Sequence, residues 1–177
     1  GEALKHKKDS LRYTQLATNT QSVAAGLQCI GLSRFERIAI YLPKCFENVL
    51  SCFGCSMAGG VFVPVNPLLK APQVSYILND CNARILVTAS ARLAGLAANL
   101  SNCHDLQTII LIDESDISKI QDSLPNVTFY KWKDILSSSS SYQPTTTINV
   151  DMAAILYTSG STGKPKGVVL SHQNMVT

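Results

Sequence analysis

Ten consecutive residues near the end of the chain, 158–167, read TSGSTGKPKG and contain only threonine, serine, glycine, lysine and proline. Apolar runs lie on both sides, so a loop between two buried segments is expected. Glycines let the backbone approach a ligand closely, and consecutive free N–H groups form a concavity that binds anions. The hydroxyls add donors, and Lys164 and Lys166 add positive charge. These residue types predict a phosphate-binding loop.

The candidate ligand-binding residues are the hydroxyl-bearing residues, glycines and lysines of this loop: Thr158, Ser159, Gly160, Ser161, Thr162, Gly163, Lys164, Lys166 and Gly167. A Walker A loop is excluded, because it needs four residues between its glycines and then Gly-Lys-Ser/Thr opening a helix. Here two residues separate Gly160 from Gly163, and Pro165 follows Lys164. The dinucleotide-binding fingerprint GxGxxG is absent from the sequence. A polar hairpin loop without a ligand remains the alternative.

Strand and helix patterns alternate before this loop. Apolar residues at helical spacing predict helices from Thr14 to Gly31 and at 46–58, 72–79, 91–100 and 115–123. Short apolar runs predict strands at 37–42, 61–65, 84–88, 108–112 and 127–130, and two more at 152–157 and 168–170. Pro64 favours an edge position or a strand end for the second of these. The pattern predicts an α/β fold, a doubly wound and mostly parallel sheet flanked by helices.

The chain divides at a low-complexity segment, SSSSSYQPTTT, residues 137–147, which is typical of a flexible connection. We predict an α/β lobe at 1–136, a Ser/Thr-rich connection at 137–149, and a strand–loop–strand unit with the start of a helix at 150–177. Ser171 is the expected N-cap of that helix.

Composition excludes several classes of protein. At 177 residues, with 46% hydrophobic and 15% charged residues, the chain can form one well-packed domain. The net charge is +3, and the lysines at 5, 7 and 8 lack alternating aromatic residues, so they predict a solvated terminus and no nucleic-acid partner. The six cysteines are scattered and no apolar run approaches the ~20 residues of a membrane span. A cytoplasmic protein without a membrane span is expected.

Two other motifs favour structural roles. Cys52 and Cys55 form a CxxC inside a predicted buried helix, where cysteine behaves as a small apolar residue. Ser171 and His172 are adjacent, and neighbouring residues rarely face each other as a catalytic pair requires. No second cysteine pair or histidine cluster completes a metal site, so no metal ligand is predicted.

An acidic cluster, Asp113, Glu114 and Asp116, follows a predicted strand. Carboxylates in that position can bind a metal or a ribose. We expect them instead to cap and begin the helix that follows.

The loop also resembles a known signature. YTSGSTGKPKGV, residues 157–168, resembles the phosphate loop of the adenylate-forming enzymes at every position. This family includes acyl-CoA synthetases, adenylation domains of peptide synthetases and luciferases. LRYTQLA (11–17) resembles its "LTYxEL" motif and MAGGVFVPVNP (57–67) its "AGxxxVPxxP" segment. RIAIYLPKCFE (37–47) and YILNDCNARILVT (76–88) resemble the intervening elements, so the resemblance spans the chain.

The resemblance implies a two-step ligase that uses ATP, Mg²⁺ and coenzyme A. A carboxylic acid would attack the α-phosphate of ATP to give an acyl-adenylate and pyrophosphate. The thiol of coenzyme A, or of a carrier's pantetheine arm, would then take the acyl group. Thr158, Ser159, Ser161 and Thr162 would contact the phosphates and Lys166 would neutralise them, while Lys164 occupies a more variable position. Thr158 and Lys166 are the candidate catalytic residues.

The family's chains are much longer than this one. Their adenine pocket, ribose-binding aspartate, metal-binding glutamate and catalytic lysine lie downstream of the loop. We therefore expect an N-terminal lobe that is inactive alone, and whose strands near 152–170 could pair into homo-oligomers. An adenylation domain that loads a carrier, a non-catalytic phosphate-binding module and an interaction domain remain alternatives.

Overall fold

The computed structural model describes residues 1–138, 141–158 and 164–177. The strands are β1 (Glu2–His6), β2 (Asp9–Arg12), β3 (Arg37–Tyr41), β4 (Val61–Pro64), β5 (Ala83–Thr88), β6 (Thr108–Leu111), β7 (Thr128–Lys131), β8 (Met152–Thr158) and β9 (Lys166–Ser171). The helices are α1 (Tyr13–Cys29), α2 (Phe46–Met57), α3 (Ala71–Asp80), α4 (Ser90–Leu100), α5 (Ser118–Ser123), α6 (Trp132–Leu136) and α7 (His172–Val176). Each predicted helix and strand is present, with its ends within three residues of the prediction.

Seven strands form one sheet in the order β7-β6-β5-β3-β4-β8-β9. Every neighbouring pair is parallel except β8 and β9, which form an antiparallel hairpin at one end of the order. The chain adds β4 on one side of β3 and then β5 on the other, so the strand order reverses at β3. This topology confirms the doubly wound, mostly parallel α/β fold.

The central strands are buried on both faces, as parallel strands between helices must be. In β3, Ile38 and Ile40 pack in the core formed with α1, α2 and α6. Ala39 and Tyr41 belong to the opposite core, formed with α3, α4 and the end of α5. Alternating side chains therefore join one sheet to two helical layers.

The sheet topology distinguishes the two positions predicted for Pro64, an edge strand or the end of a strand. β4 lies between β3 and β8, so the edge position is wrong. Pro64 is instead the last residue of β4, where its missing N–H interrupts no further pairing. The next amide, of Val65, still donates to the Ile40 carbonyl at 2.9 Å.

The N-terminus forms an antiparallel hairpin, β1–β2, that the sequence analysis did not predict, although Lys5, Lys7 and Lys8 are exposed as expected. Leu4 pairs with Leu11, and Lys7 takes a positive φ of 55° in the turn. One partly buried leucine per strand is too short a pattern to distinguish this hairpin from a polar tail. Helix α6 is similarly short, and it is held by buried Trp132 and Ile135.

The Ser/Thr-rich connection is anchored where we expected flexibility. The Tyr142 hydroxyl donates to the Met57 carbonyl at 3.1 Å, and the Thr145 hydroxyl donates to the Ala58 carbonyl at 3.2 Å. These carbonyls end α2 and have no partner within a helix. The Gln28 amide group also donates to the Gln143 carbonyl at 2.8 Å. Residues 142–145 thus contact α1 and α2, and the three-part division of the chain stays a prediction.

Among the residues that the structure describes, no helix has both the length and the apolar character required to cross a bilayer.

Candidate phosphate-binding site

The β8–β9 hairpin places the two predicted catalytic residues side by side. Thr158 ends β8, Lys166 begins β9, and the two are direct partners in the antiparallel register. Directly opposed residues share one face of the sheet, with Cβ atoms about 4.5–5.5 Å apart. Both residues are exposed. The two residues that flank the loop therefore lie side by side on one face of the hairpin.

The middle of the predicted loop lies outside the described residues. Ser159, Gly160, Ser161, Thr162 and Gly163 are the candidates that fall there. Their contact with phosphate stays a prediction.

Gly167 has a packing role that the sequence did not reveal. It lies opposite Tyr157, on the face away from Thr158 and Lys166. A Cβ atom on Gly167 would lie 2.8 Å from Ile155 Cγ2 and 3.2 Å from Tyr157 Cζ. Glycine is therefore needed so that the tyrosine side chain can lie against β9, whereas contact of Gly167 with a ligand stays a prediction.

The Tyr157 hydroxyl connects the hairpin to the end of α3. It donates to Asp80 Oδ2 at 2.6 Å, and the Tyr76 hydroxyl donates to Asp80 Oδ1 at 3.4 Å. Burial, and then the bond to the Asp80 carboxylate, raise the pKa of Tyr157 well above its usual range. Tyr157 is thus a neutral donor to Asp80.

The two lysines of the loop have different surroundings. The Lys164 ammonium lies 5.9 Å from the ring centroid of Tyr76 on α3, within the range of a cation–π contact. Lys166 lies opposite Thr158. Lys164 therefore contacts the helix that also binds Tyr157, while Lys166 is exposed beside Thr158.

Sequence reasoning missed Tyr76 and Asp80 as neighbours of the loop. The alternation of Ile155 and Tyr157 in β8 was the available signal, because it puts both on one face of the sheet. No local pattern indicated that this face meets the last turn of α3.

At the other end of the hairpin, the buried carboxylate of Asp151 accepts the Ile148 amide at 2.9 Å and the Arg34 guanidinium at 2.5 Å. The hydrogen bond from the Ile148 amide, and then the Arg34 guanidinium, lower the pKa of Asp151. The Asp151 carbonyl accepts the His172 amide at 3.0 Å. The Ser171 hydroxyl accepts the Asn174 amide at 3.2 Å, which confirms the predicted N-cap.

The CxxC cysteines lie in α2 as predicted. Cys55 is fully buried and Cys52 partly so. Burial raises the pKa of Cys52 to about 12 and that of Cys55 well above its usual value. A reactive thiol needs a lowered pKa, so the core interpretation is confirmed.

The three carboxylates of the acidic cluster have different partners. Asp116 accepts the Ser118 amide at 2.9 Å in the first turn of α5, as expected. Asp113 caps a different helix, because its carboxylate accepts the Ser90 amide of α4 at 3.0 Å.

The third member, Glu114, pairs with the ammonium groups of Lys131 and Lys133, each at 3.0 Å. Within the described ranges, no group of three or more His, Cys, Asp or Glu residues is placed to hold a metal ion. The described residues therefore do not fit a resident Mg²⁺ site.

Comparison with known proteins identifies the family of this chain. A model of the AMP-binding enzyme family matches residues 2–177. The chain belongs to this family. The resemblance to adenylate-forming enzymes found in the loop is thereby confirmed over the whole length.

Two relatives illustrate the range of this family. A long-chain-fatty-acid–CoA ligase of Bacillus subtilis (strain 168) is 29% identical over 190 residues, covering 94% of this chain and 33% of that protein. An L-proline–[L-prolyl-carrier protein] ligase of Pseudomonas fluorescens is 32% identical over 173 residues, covering 97% of this chain and 32% of that protein. The chain spans about a third of the length of these relatives.

Solved structures share the fold. Coronafacic acid ligase from Pectobacterium brasiliense superimposes with a TM-score of 0.85 at 24% identity, over 99% of this chain and 33% of that one. MatB from Rhodopseudomonas palustris superimposes with a TM-score of 0.74 at 26% identity, over 95% of this chain and 30% of that one. The sheet and its helices thus have the arrangement found in these two proteins.

Proposed function

We propose that this chain is the phosphate-binding lobe of an ATP-dependent, AMP-forming ligase that activates a carboxylic acid as its acyl-adenylate. The observation that carries the proposal is the direct pairing of Thr158 with Lys166 at the end of the hairpin. Membership of the AMP-binding enzyme family supports it. A cytoplasmic location is part of the proposal, because the scattered cysteines suit a reducing compartment.

In the proposed reaction, a carboxylate oxygen attacks the α-phosphorus of ATP. The bond from that phosphorus to the bridging oxygen breaks, and negative charge accumulates on the departing pyrophosphate. The ammonium of Lys166 and the hydroxyl of Thr158 donate to it from adjacent positions, which stabilises the developing charge. Ser159, Ser161 and Thr162 are proposed as further donors. Mg²⁺ would enter with the nucleotide, and the described residues contribute no ligand set of their own.

We propose coenzyme A as the acyl acceptor. The similarity to a fatty-acid–CoA ligase supports it. A carrier protein with a pantetheine arm is the second candidate, because the identity to the prolyl-carrier ligase, 32%, is as high as the 29% to the CoA ligase. Incubating the product of the complete reading frame with ATP, a carboxylic acid panel, and either coenzyme A or a loaded carrier distinguishes the two.

Phosphate binding by the loop can be tested by titrating the 177-residue chain with pyrophosphate in a calorimeter. Lys166→Ala is expected to weaken binding about tenfold or more, because a charge-assisted hydrogen bond is lost. Lys119→Ala is the matched control, since it removes the same charge from an exposed position on α5. The control is expected to bind pyrophosphate as the unmodified chain does.

Other outcomes select the alternatives. If the unmodified chain binds no pyrophosphate, or both variants weaken it equally, the loop is structural and an interaction domain is favoured. If pyrophosphate binds through Lys166 but the product of the complete reading frame exchanges none into ATP with any carboxylate, the chain is a non-catalytic phosphate-binding module.

A further inference from the structure

Both flanks of the phosphate loop contact the C-terminal half of α3. Tyr157, one residue before Thr158, bonds to Asp80, and Lys164 lies over Tyr76, one helical turn before Asp80. We infer that Asp80 is a positioning residue for the phosphate loop, acting on β8 through Tyr157 and on Lys164 through Tyr76. The inference rests on the proposed function, since it assigns Asp80 a part in holding the same loop.

The contact with Tyr157 acts close to the candidate catalytic pair. Tyr157 precedes Thr158 in β8 and lies opposite Gly167, which follows Lys166 in β9. Its ring lies between Gly167 and the core, and its hydroxyl donates to the Asp80 carboxylate. Fixing Tyr157 therefore sets the positions from which Thr158 and Lys166 project on the opposite face.

The second contact acts through the ring of Tyr76. Tyr76 and Asp80 are four residues apart in α3 and therefore lie on one side of the helix. The hydroxyl-to-carboxylate bond restrains the ring over which the Lys164 ammonium lies. Restraining Lys164 limits the positions at which β9, which begins two residues later, can start.

The end of α3 provides a rigid base for both contacts. Ile77 and Leu78 of its last turns are fully buried. Beyond the helix, Arg37 Nε donates to the Cys81 carbonyl at 2.5 Å and Arg37 Nη2 donates to the Asn82 carbonyl at 2.7 Å. The end of the helix is thereby attached to the start of β3, and Asp80 is carried by a fixed turn.

The negative charge of Asp80 makes the inference testable, because a positioning role and simple electrostatics predict opposite changes in pyrophosphate affinity when that charge is removed. Asp80→Asn removes a negative charge near an anion site, so electrostatics alone would strengthen pyrophosphate binding. Loss of positioning would weaken it. We expect the dissociation constant for pyrophosphate to rise about three- to tenfold in Asp80→Asn, because asparagine keeps a single acceptor oxygen where Asp80 offers two to the Tyr157 and Tyr76 hydroxyls.

Two further variants isolate the cause. Tyr157→Phe removes only the hydroxyl and is expected to weaken pyrophosphate binding to a similar extent. Tyr41→Phe is the structural control, because it removes a hydroxyl that donates to the Leu69 carbonyl at 2.7 Å and not to Asp80. It is expected to leave pyrophosphate binding unchanged.

Amide hydrogen exchange measured by NMR gives a readout that needs no ligand. Asp80→Asn should accelerate exchange at Thr158 and Lys166, and Tyr41→Phe should not. Tighter or unchanged pyrophosphate binding in Asp80→Asn overturns the inference, as does equal weakening by Tyr41→Phe. If the unmodified chain binds no pyrophosphate, the proposed function fails and exchange alone decides: acceleration confined to Asp80→Asn supports positioning by Asp80, and unchanged exchange overturns it.

Discussion

Arg34 Nη2 lies 2.5 Å from Asp151 Oδ2, which joins the loop between α1 and β3 to the residue that precedes β8. The same carboxylate accepts the Ile148 amide, and the Asp151 carbonyl accepts the His172 amide. One buried aspartate thus links the loop before β3, Ile148 and the start of α7. The hairpin that carries the candidate site is therefore anchored at the end opposite to the loop.

Asp151→Asn is expected to lower the free energy of unfolding at pH 7. The substitution keeps the shape of the side chain but removes the charge that Arg34 and the Ile148 amide stabilise. Urea unfolding followed by circular dichroism measures the loss. Asp122→Asn, an exposed position on α5, is the matched control and should unfold like the unmodified chain.

Acid should remove the difference between Asp151→Asn and the unmodified chain. The pKa of Asp151 is lowered in the folded protein, whereas an unfolded aspartate titrates near about 3.9. The stabilisation is therefore fully present above that value and is lost as pH falls through the folded-state pKa. Urea titrations from pH 7 down to about 3 follow the difference. A gap that stays constant over this range would show that the charge of Asp151 does not contribute.

Gly167→Ala is expected to destabilise the hairpin. The added methyl group would lie 2.8 Å from Ile155 Cγ2, and overpacking of this kind costs about 1–3 kcal/mol. Gly95→Ala is the opposite control, because a Cβ atom there meets nothing within 4 Å and alanine favours a helix interior by roughly 0.5–1 kcal/mol. Chemical denaturation should show a lower free energy of unfolding for Gly167→Ala and a higher one for Gly95→Ala than for the unmodified chain. Equal stability of Gly167→Ala and the unmodified chain would contradict the packing role.

The core thiols are expected to resist alkylation in the folded chain. Burial raises the pKa of Cys81 and Cys103 to about 11. Because the thiolate is the nucleophile, iodoacetamide at pH 7 should modify them at least about a hundredfold more slowly than in the unfolded chain. Peptide mass spectrometry after timed quenching measures each site. Rapid modification of either residue under native conditions would contradict its buried position.

Val169→Lys is expected to reduce self-association. β9 is the last strand in the order of the sheet, and its Val168 and Val169 are 46% and 55% exposed. Exposed apolar edge strands pair with other chains, and a lysine on the strand opposes this. Sedimentation velocity over a concentration series measures the association. Phe53→Lys, which changes a half-exposed side chain on α2, should not alter it; a concentration-independent monomer in the unmodified chain would refute pairing through β9.

The local patterns predicted the helices and the strands of the sheet because the spacing of apolar residues within each element shows which of its faces are buried. Continuous apolar runs such as 108–112 indicated strands covered on both faces, and this is what β6 shows. The hairpin β1–β2 was missed because its strands, of five and four residues, contribute single leucines to a small contact. The anchored connection was missed because serine, threonine and tyrosine hydroxyls bond equally well to water or to a helix end, and composition does not distinguish the two.

The amino-acid sequence by itself determined the doubly wound α/β class, the place of the loop and the family. Only the tertiary structure decided that Asp80 holds Tyr157, 77 positions away, and that Arg34 holds Asp151, 117 positions away. Periodicity and turn residues describe one element at a time. Which helix end meets which strand depends on the order in which strands join the sheet, and that order is set by the packing of the whole core.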